Sequence, residues 1–578
     1  MRGPLQYEEG TDPPESHISL SACSSQPSDS CVTAKLQPNM ISLVQFGIVL
    51  FVGLGSMTYG YGSSIIATTT GQPTFLSYFE LDTKPNAAAL LGAINGLFSA
   101  GGLFGCISCL YIPDKWGRKK SLSFAAICAI IGSGLAAGSV HIAMFMVARL
   151  ITGFSVGALV SLVPLYQSEI SPPRIRGLLV GMHGTGIATG YCAASWIGFG
   201  FYFVNAKSTQ WRMPLAIGAL WPLLLGVGVM LIPESPRWLL TKDQPDQALK
   251  AFKACRTESG PQNDEHAILE EFHLLHMQVL EEMKEFVPLK AFFTRPALRK
   301  RCFIGWLTMA AGQMTGTIVI NNYGPFLYKK LGFSVTNQLL IQCGWISVCW
   351  LGNAFNAAVI DRIGRVRLLI FGLIGDVIAL AGECATVAQY TKTGSPACAK
   401  AAVFFLFLHI GFYGWTIDAS TYIYASEIFP NPLRARGIGI SIAGLFMMVI
   451  IFTSAAPTAF DKIGWKYYLV FCLLTAMNVV IVWFTFPEVR FLSMLLISKR
   501  RLKEDQTKGK ALEDIAEIFG DGIVLSDARE EEIHRRFKES GYQAQVLDEV
   551  HHEVVLQDDM HHGEKMVVTH AERTENLA

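Results

Sequence analysis

Three acidic residues and one arginine stand inside apolar runs: Asp376 and Glu383 near 366–388, Asp418 near 400–424 and Arg149 near 142–164. At mid-bilayer each ionised carboxylate would cost about 2.5–3.5 kcal/mol on the insertion scale, so pairing or protonation is expected. Each is a candidate for moving a proton or holding a polar cargo. Asp376 and Glu383 are seven residues apart, which places them on one helix face about 10 Å apart. Uncharged hydrogen-bonding side chains gather in other apolar runs. "GQMTGTIVINNYGP" (312–325) carries Gln313, Thr315, Asn321, Asn322 and Tyr323, and "MHGTGIATG" (182–190) carries His183 and Thr185. Tyr422 follows Asp418 by four residues. Polar side chains inside such runs are costly, so each is a functional candidate. They form no nucleophile–base set, and no His-rich cluster faces one side, so neither an enzyme nor a metal or cofactor site is expected. His551-His552 and His561-His562 read as part of a solvated tail.

The runs that position these residues are long. Hydrophobic residues make up 51% of the 578 and charged ones 16%, where a soluble chain of this length carries about 25%. The charge comes in bursts between apolar stretches of about 20 residues, enough to cross a hydrocarbon core of about 30 Å. Twelve spans are expected near 41–64, 87–111, 119–139, 142–164, 177–203, 212–232, 301–326, 337–360, 366–388, 400–424, 436–458 and 465–486. The fold class is therefore all-α and polytopic, with the lipid bilayer as its standing partner. A net charge of +1 gives no signal for nucleic acid. The 13 cysteines lie mostly in the apolar runs and show no framework spacing.

The expected organisation is a disordered cytosolic tail (1–40), a six-helix bundle (41–232), a cytosolic helical loop (233–300), a second six-helix bundle (301–488) and a cytosolic helix and tail (507–578). In the loop, Ile268, Phe272, Leu275, Val279 and Met283 make one apolar helix face, expected to lie toward the membrane. "KWGRKK", "RIR", "DRIGRVR", "RAR" and "KRRLK" all fall on one side if the spans alternate, which puts both termini in the cytoplasm. No signal peptide opens the sequence.

The two bundles repeat one another. "PDKWGRK" (113–119) follows span two and "IDRIGRV" (360–366) follows span eight, 247 residues on. "SEISPPRIRG" follows span four and "SEIFPNPLRARG" follows span ten; "IPESPRW" follows span six and "FPE" span twelve. Three charged marks in the same order indicate homologous halves. Gly117 before Arg118 permits a tight turn, and Asp361 and Arg365 form the equivalent mark. Asp114 is expected to accept from the N–H groups opening the third helix or to pair with Arg118. Glu169 with Arg176, and Glu427 with Arg434, are opposite charges seven residues apart. They are candidates for locking the inner faces in one state of a rocking cycle. Glu234, Arg237 and Glu488 complete the network.

Together D-x-x-G-R after spans two and eight, "PLYQSEISPPRIRG", "PESPRWLL" and "YASEIFP" resemble the sugar porter family of the major facilitator superfamily, over about 41–520, and filamentous-fungal members in style. The resemblance implies a carrier in the plasma membrane, working by alternating access with a small-molecule substrate between the halves; substrate and oligomeric state stay open. Span seven keeps Gln313, Thr315, Gly316 and Tyr323 of the family pattern but has Gly312 and Ile318 where a glutamine and an asparagine usually stand. Gly184 and Tyr422 replace a frequent glutamine and tryptophan. A polyol, a glycoside or a less polar metabolite is as credible as glucose, and an efflux carrier or a nutrient sensor is an alternative. Gly62 occupies the place of the family's proton-binding aspartate, which leaves Arg149 without that partner. Facilitated diffusion is expected, with Asp418 the fallback proton carrier and the Asp376–Glu383 pair structural on a peripheral ninth span.

The family's twelfth span usually ends P-E-T-K-G. Here Pro487-Glu488 and Thr507-Lys508-Gly509 are parted by the 18 residues Val489–Gln506. Eighteen codons beginning with GT and able to end in CAG have the form of a short intron read through. The rival is an amphipathic inner-leaflet piece. Sequencing the spliced message separates the two.

Overall fold

The computed structural model describes residues 43–171, 176–204, 206, 208–256, 264–284, 288–429 and 433–486. The tails, the 489–506 insertion and Glu488 lie outside the described residues. Within them every regular element is helical. The long helices are α1 (Leu43–Gly71), α2 (Ala87–Ser108), α3 (Arg118–Ala137), α4 (Ile142–Ile170), α5 (Arg176–Tyr202) and α6 (Thr209–Gly228), then α7 (Pro296–Lys330), α8 (Val335–Ile363), α9 (Arg365–Thr393), α10 (Pro396–Glu427), α11 (Arg434–Lys462) and α12 (Lys466–Thr485). Eleven are long and apolar enough to cross a membrane. The twelfth, α5, has the length, 27 residues, but its glycines and polar side chains such as His183, Thr185 and Thr189 make it less apolar. Large apolar side chains such as Phe104, Val227, Leu231, Phe371 and Phe484 point outward, as lipid-facing residues do.

Lipid tails give helices no hydrophobic reason to associate, so close packing of small residues must do it. Between α2 and α4 the approach is closest at Gly153 and Gly157, where an added Cβ would sit 1.9 Å from the carbonyl oxygens of Phe98 and Gly102. Along the other side of α2 runs α11, from the opposite half of the repeat. A Cβ on Gly92 would lie 2.3 Å from the Ser454 carbonyl oxygen, and near the other end Cys106 Sγ donates to the Gly439 carbonyl at 3.0 Å.

Besides the turn at Gly218 and Ala219 that divides α6, two long helices are interrupted. α7 breaks at Thr315 and Gly316; Gly316 has φ +81°, and a Cβ there would be 2.7 Å from the Phe471 ring. Only glycine fits that conformation in that space. α10 contains a five-residue π-helical turn, Tyr413–Ile417, directly before Asp418; such turns recur at functional sites.

The loop between the halves departs from expectation. The apolar face of the helix Asp264–Lys284 buries Phe272 and Val279 against Leu239, Leu240, Ala248 and Phe252, from the helices Pro236–Thr241 and Pro245–Arg256. It packs on the loop's own helices, with Ile268 and Leu275 partly buried beside it and Met283 at the end of the stripe exposed.

Candidate functional site

At the centre of the helix bundle is a cavity with about 410 Å³ of space free of protein atoms, its opening included. α1 and α5 contribute Tyr59 and Tyr191; α7 contributes Gln313, Thr317, Ile318 and Asn321; α8 contributes Trp345, Ile346 and Cys349; α10 contributes Ile410, Tyr413, Asp418 and Tyr422. Both halves of the repeat therefore wall it, and both helix interruptions open onto it. Gln313 is the last polar residue before the α7 break and Thr317 the first after it.

The polar groups are held from behind. Asn353 Nδ2 on α8 donates to Asp418 Oδ2 at 2.9 Å, and the Tyr413 hydroxyl lies 3.5 Å from Oδ1. Asn321 Oδ1 accepts from Ser64 on α1 at 3.3 Å and from Gln342 on α8 at 3.4 Å, and Gln342 also donates to the Asn321 carbonyl at 3.1 Å. Buried polar groups so engaged keep one orientation, which a reader of ligand hydroxyls requires.

Of the residues singled out for the cavity, Gln313, Asn321, Asp418 and Tyr422 line it. The others do not. Tyr323 donates to the carbonyls of Thr453 at 2.9 Å and Leu91 at 3.2 Å, tying α7 to α11 and α2. Asn322 is buried with its Oδ1 unpartnered. His183 sits just behind the wall, 2.7 Å from Ser56 Oγ and edge-on to Tyr422. Thr185 is half-buried and gives its carbonyl to Thr189. Thr315 bonds the Gly312 carbonyl and Thr317.

The buried charges resolve separately. Arg149 donates from Nη1 to the Gly62 carbonyl at 2.7 Å and lies 3.9 Å over the Phe98 ring; its Nε and Nη2 have no hydrogen-bond partner. Asp376 and Glu383 are both buried, on one face of α9, and do not pair with each other. Asp376 Oδ1 is 3.1 Å from Nδ1 of His409 on α10, within ion-pair distance but not aligned for a hydrogen bond, a neighbour the spacing argument on α9 alone did not supply, and Glu383 is without a hydrogen-bond partner.

On the side assigned to the cytoplasm, the charge network centres on the arginines of the two D-x-x-G-R marks. Glu169 pairs with Arg118: Nε lies 2.9 Å from Oε2 and Nη2 2.7 Å from Oε1. Arg365 grips Glu427 in the same manner, at 3.0 and 2.9 Å. The turns explain it. Gly117 and Gly364, with φ +88° and +99°, start α3 and α9 so that the following arginine points back at the end of α4 or α10. The N–H groups opening α3 belong to Glu234, which accepts from Arg118 N at 3.0 Å and Lys119 N at 3.2 Å, and not to Asp114. Asp114 instead lies 3.5 Å from both Arg118 and Arg436, the latter across the two halves. Arg237 is in the first turn of Pro236–Thr241 and Arg434 opens α11. The side chains of Arg176 and Asp361 lie outside the described residues.

Sequence reasoning missed Tyr59, Tyr191, Thr317, Asn353, His409 and Tyr413. His409 was findable, as an ionisable residue inside "FFLFLHIGF". The tyrosines read as ordinary packing until a cavity is seen between them.

Comparison with known proteins gives one family. The model of the sugar (and other) transporter family matches residues 48–499. The MFS-type transporter criB of Aspergillus cristatus is 32% identical over 84% of this chain and 96% of its own, and a probable quinate permease of Aspergillus clavatus is 30% identical over 88% and 95%. Among solved structures, the proton:xylose symporter XylE bound to 6-bromo-6-deoxy-D-glucose superposes with a TM-score of 0.65 at 22% identity, over 77% of this chain and 96% of that one. A partially occluded, inward-open xylose transporter XylE from E. coli gives 0.64 at 19%, over 77% and 100%.

Proposed function

We propose a cargo and a transport mode for a chain that belongs to the sugar (and other) transporter family and has the fold of the major facilitator superfamily. It carries a polyhydroxylated ring molecule, a sugar, polyol or quinate-like hydroxy acid, across the plasma membrane by alternating access. The observation that carries this reading is the cavity wall: Gln313, Thr317, Asn321 and Asp418 on one side, with Tyr59, Tyr191, Tyr413 and Tyr422 around it. Amides, a hydroxyl and a carboxylate supply donors and acceptors for hydroxyl groups, and the rings cover apolar ring faces. Two relatives named as a probable quinate permease and a xylose symporter agree with a cargo of this class.

Transport is facilitated diffusion. Gly62 holds no proton, and Arg149 next to it bonds a backbone carbonyl. Uptake of a labelled panel of D-glucose, D-xylose, myo-inositol and quinate in a transporter-null host tests the reading. Saturable uptake of at least one supports it, and no uptake of any rejects this class. The five aromatic side chains in the wall, Trp345 included, favour one second reading: an efflux carrier for a bulkier metabolite. Export from preloaded vesicles without import of the panel would select it.

A further inference from the structure

We propose that Thr317 is a fixed hydrogen-bond acceptor in the cavity wall, set in that role by His409, and that it reads a hydroxyl proton on the cargo. The proposal rests on the carrier reading above and adds a specificity residue to it.

The argument is a count of protons. Thr315 Oγ lies 2.8 Å from the Gly312 carbonyl oxygen, 2.9 Å separates the Thr315 and Thr317 hydroxyl oxygens, and Thr317 Oγ is 3.0 Å from His409 Nε2. Three contacts need three protons. Each hydroxyl supplies one and the carbonyl none, so the third comes from His409. The direction is then forced along the whole chain. The Gly312 carbonyl can only accept, so Thr315 donates to it. Thr317 donates to Thr315, and His409 donates from Nε2–H to Thr317.

The far side of the imidazole permits that arrangement. Nδ1 stands 3.1 Å from Asp376 Oδ1, with His409 1% and Asp376 0% exposed, though the two are not aligned for a hydrogen bond. A neutral acid beside a neutral ring and a carboxylate beside an imidazolium both leave a hydrogen on Nε2, whereas a carboxylate facing Nδ1–H of a neutral ring would leave Nε2 bare; the count of protons in the cavity wall selects the first two.

The consequence falls on Thr317. Its proton is spent on Thr315 and one lone pair on His409. What remains toward the cavity is a lone pair, so a cargo atom that meets it must bring its own hydrogen. A wall built in this way accepts a hydroxyl and rejects an isostere that cannot donate, because the buried acceptor would be left unpaired.

Two measurements test this. Solid-state NMR of the ¹⁵N-histidine-labelled protein in lipid, with the His409 signal identified by its loss in His409→Gln, is expected to show Nε2 carrying hydrogen; a bare Nε2 overturns the proposal. Uptake is then compared for D-glucose, quinate and the monofluoro analogues of each, since fluorine cannot donate. In the unaltered protein one fluoro substitution is expected to raise half-saturation roughly 5- to 150-fold. The same substitution should cost nothing in Thr317→Val and its full amount in Thr317→Ser. His409→Gln, whose amide N–H takes the place of Nε2–H, should keep the discrimination and His409→Phe lose it. Identical analogue profiles in the unaltered protein and Thr317→Val overturn the proposal. If neither probe is taken up, the carrier reading fails for those cargoes, and the histidine spectrum by itself decides the hydrogen-bond order.

Discussion

Arg118 holds Glu169 side-on, with Nε 2.9 Å from one carboxylate oxygen and Nη2 2.7 Å from the other. The repeat reproduces the geometry with Arg365 and Glu427, yet the surroundings differ. The first pair is 8% and 7% exposed, the second 26% and 36%. Removing one partner of a buried pair leaves an uncompensated charge and costs about 3–5 kcal/mol. A pair closer to solvent is worth about 0–1 kcal/mol. Arg118→Ala should therefore lower thermal stability in detergent much more than Arg365→Ala. Equal losses would mean that burial does not set the difference.

The seam between α2 and α11 makes a second prediction. Gly92 has no room for a side chain, because a Cβ would meet the Ser454 backbone carbonyl at 2.3 Å. Gly92→Ala should force the two halves apart and destabilise by about 1–3 kcal/mol, as overpacking does. Gly134, with nothing within 4 Å of its Cβ position, is the control, and Gly134→Ala should be neutral or slightly stabilising. Unfolding midpoints of the two variants check the contrast.

What the sequence disclosed and what it withheld divide along physical lines. The spans came from runs of apolar residues, a local property, and the D-x-x-G-R marks came from glycines that local turns demand. Partners across the fold were not local. Nothing local in the sequence pointed Glu169 to Arg118, which is 51 residues back and brought there by the turn at Gly117. Of the two roles open to Asp114, capping went to Glu234 and pairing with Arg118 is the one it keeps. His409 belongs with Asp376 only because α9 and α10 lie side by side. Tyr323, kept from the family pattern, turned out to be a tie between α7, α2 and α11, since its hydroxyl reaches two carbonyls outside the cavity.

Gln313 is expected to touch the cargo from the last turn before the α7 break. Loss of a buried hydrogen-bond partner costs about 1–3 kcal/mol, or roughly 5- to 150-fold in affinity. Gln313→Ala should raise half-saturation by that factor with surface expression unchanged. An unaltered half-saturation would remove Gln313 from the binding site.

The transport mode is decided at Asp418. It is the acid that lines the cavity, and Asn353 holds one of its oxygens at 2.9 Å while the Tyr413 hydroxyl stands 3.5 Å from the other. Those contacts fit the proposed role of Asp418 as an acceptor for cargo hydroxyls. Proton coupling would need more: release and rebinding of a proton in step with the two cavity openings. At the place of the family's aspartate, Gly62 stands beside Arg149 with only its carbonyl to give. Vesicles holding the reconstituted protein, given a pH gradient and equal cargo on both sides, should show no net accumulation. Accumulation abolished by a protonophore would refute facilitated diffusion. Asp418→Asn then separates the two roles. If the variant kept cargo exchange but lost accumulation, Asp418 would be the proton carrier. If both variant and unaltered protein only equilibrate, and Asp418→Asn merely weakens half-saturation, its role is to hold the cargo.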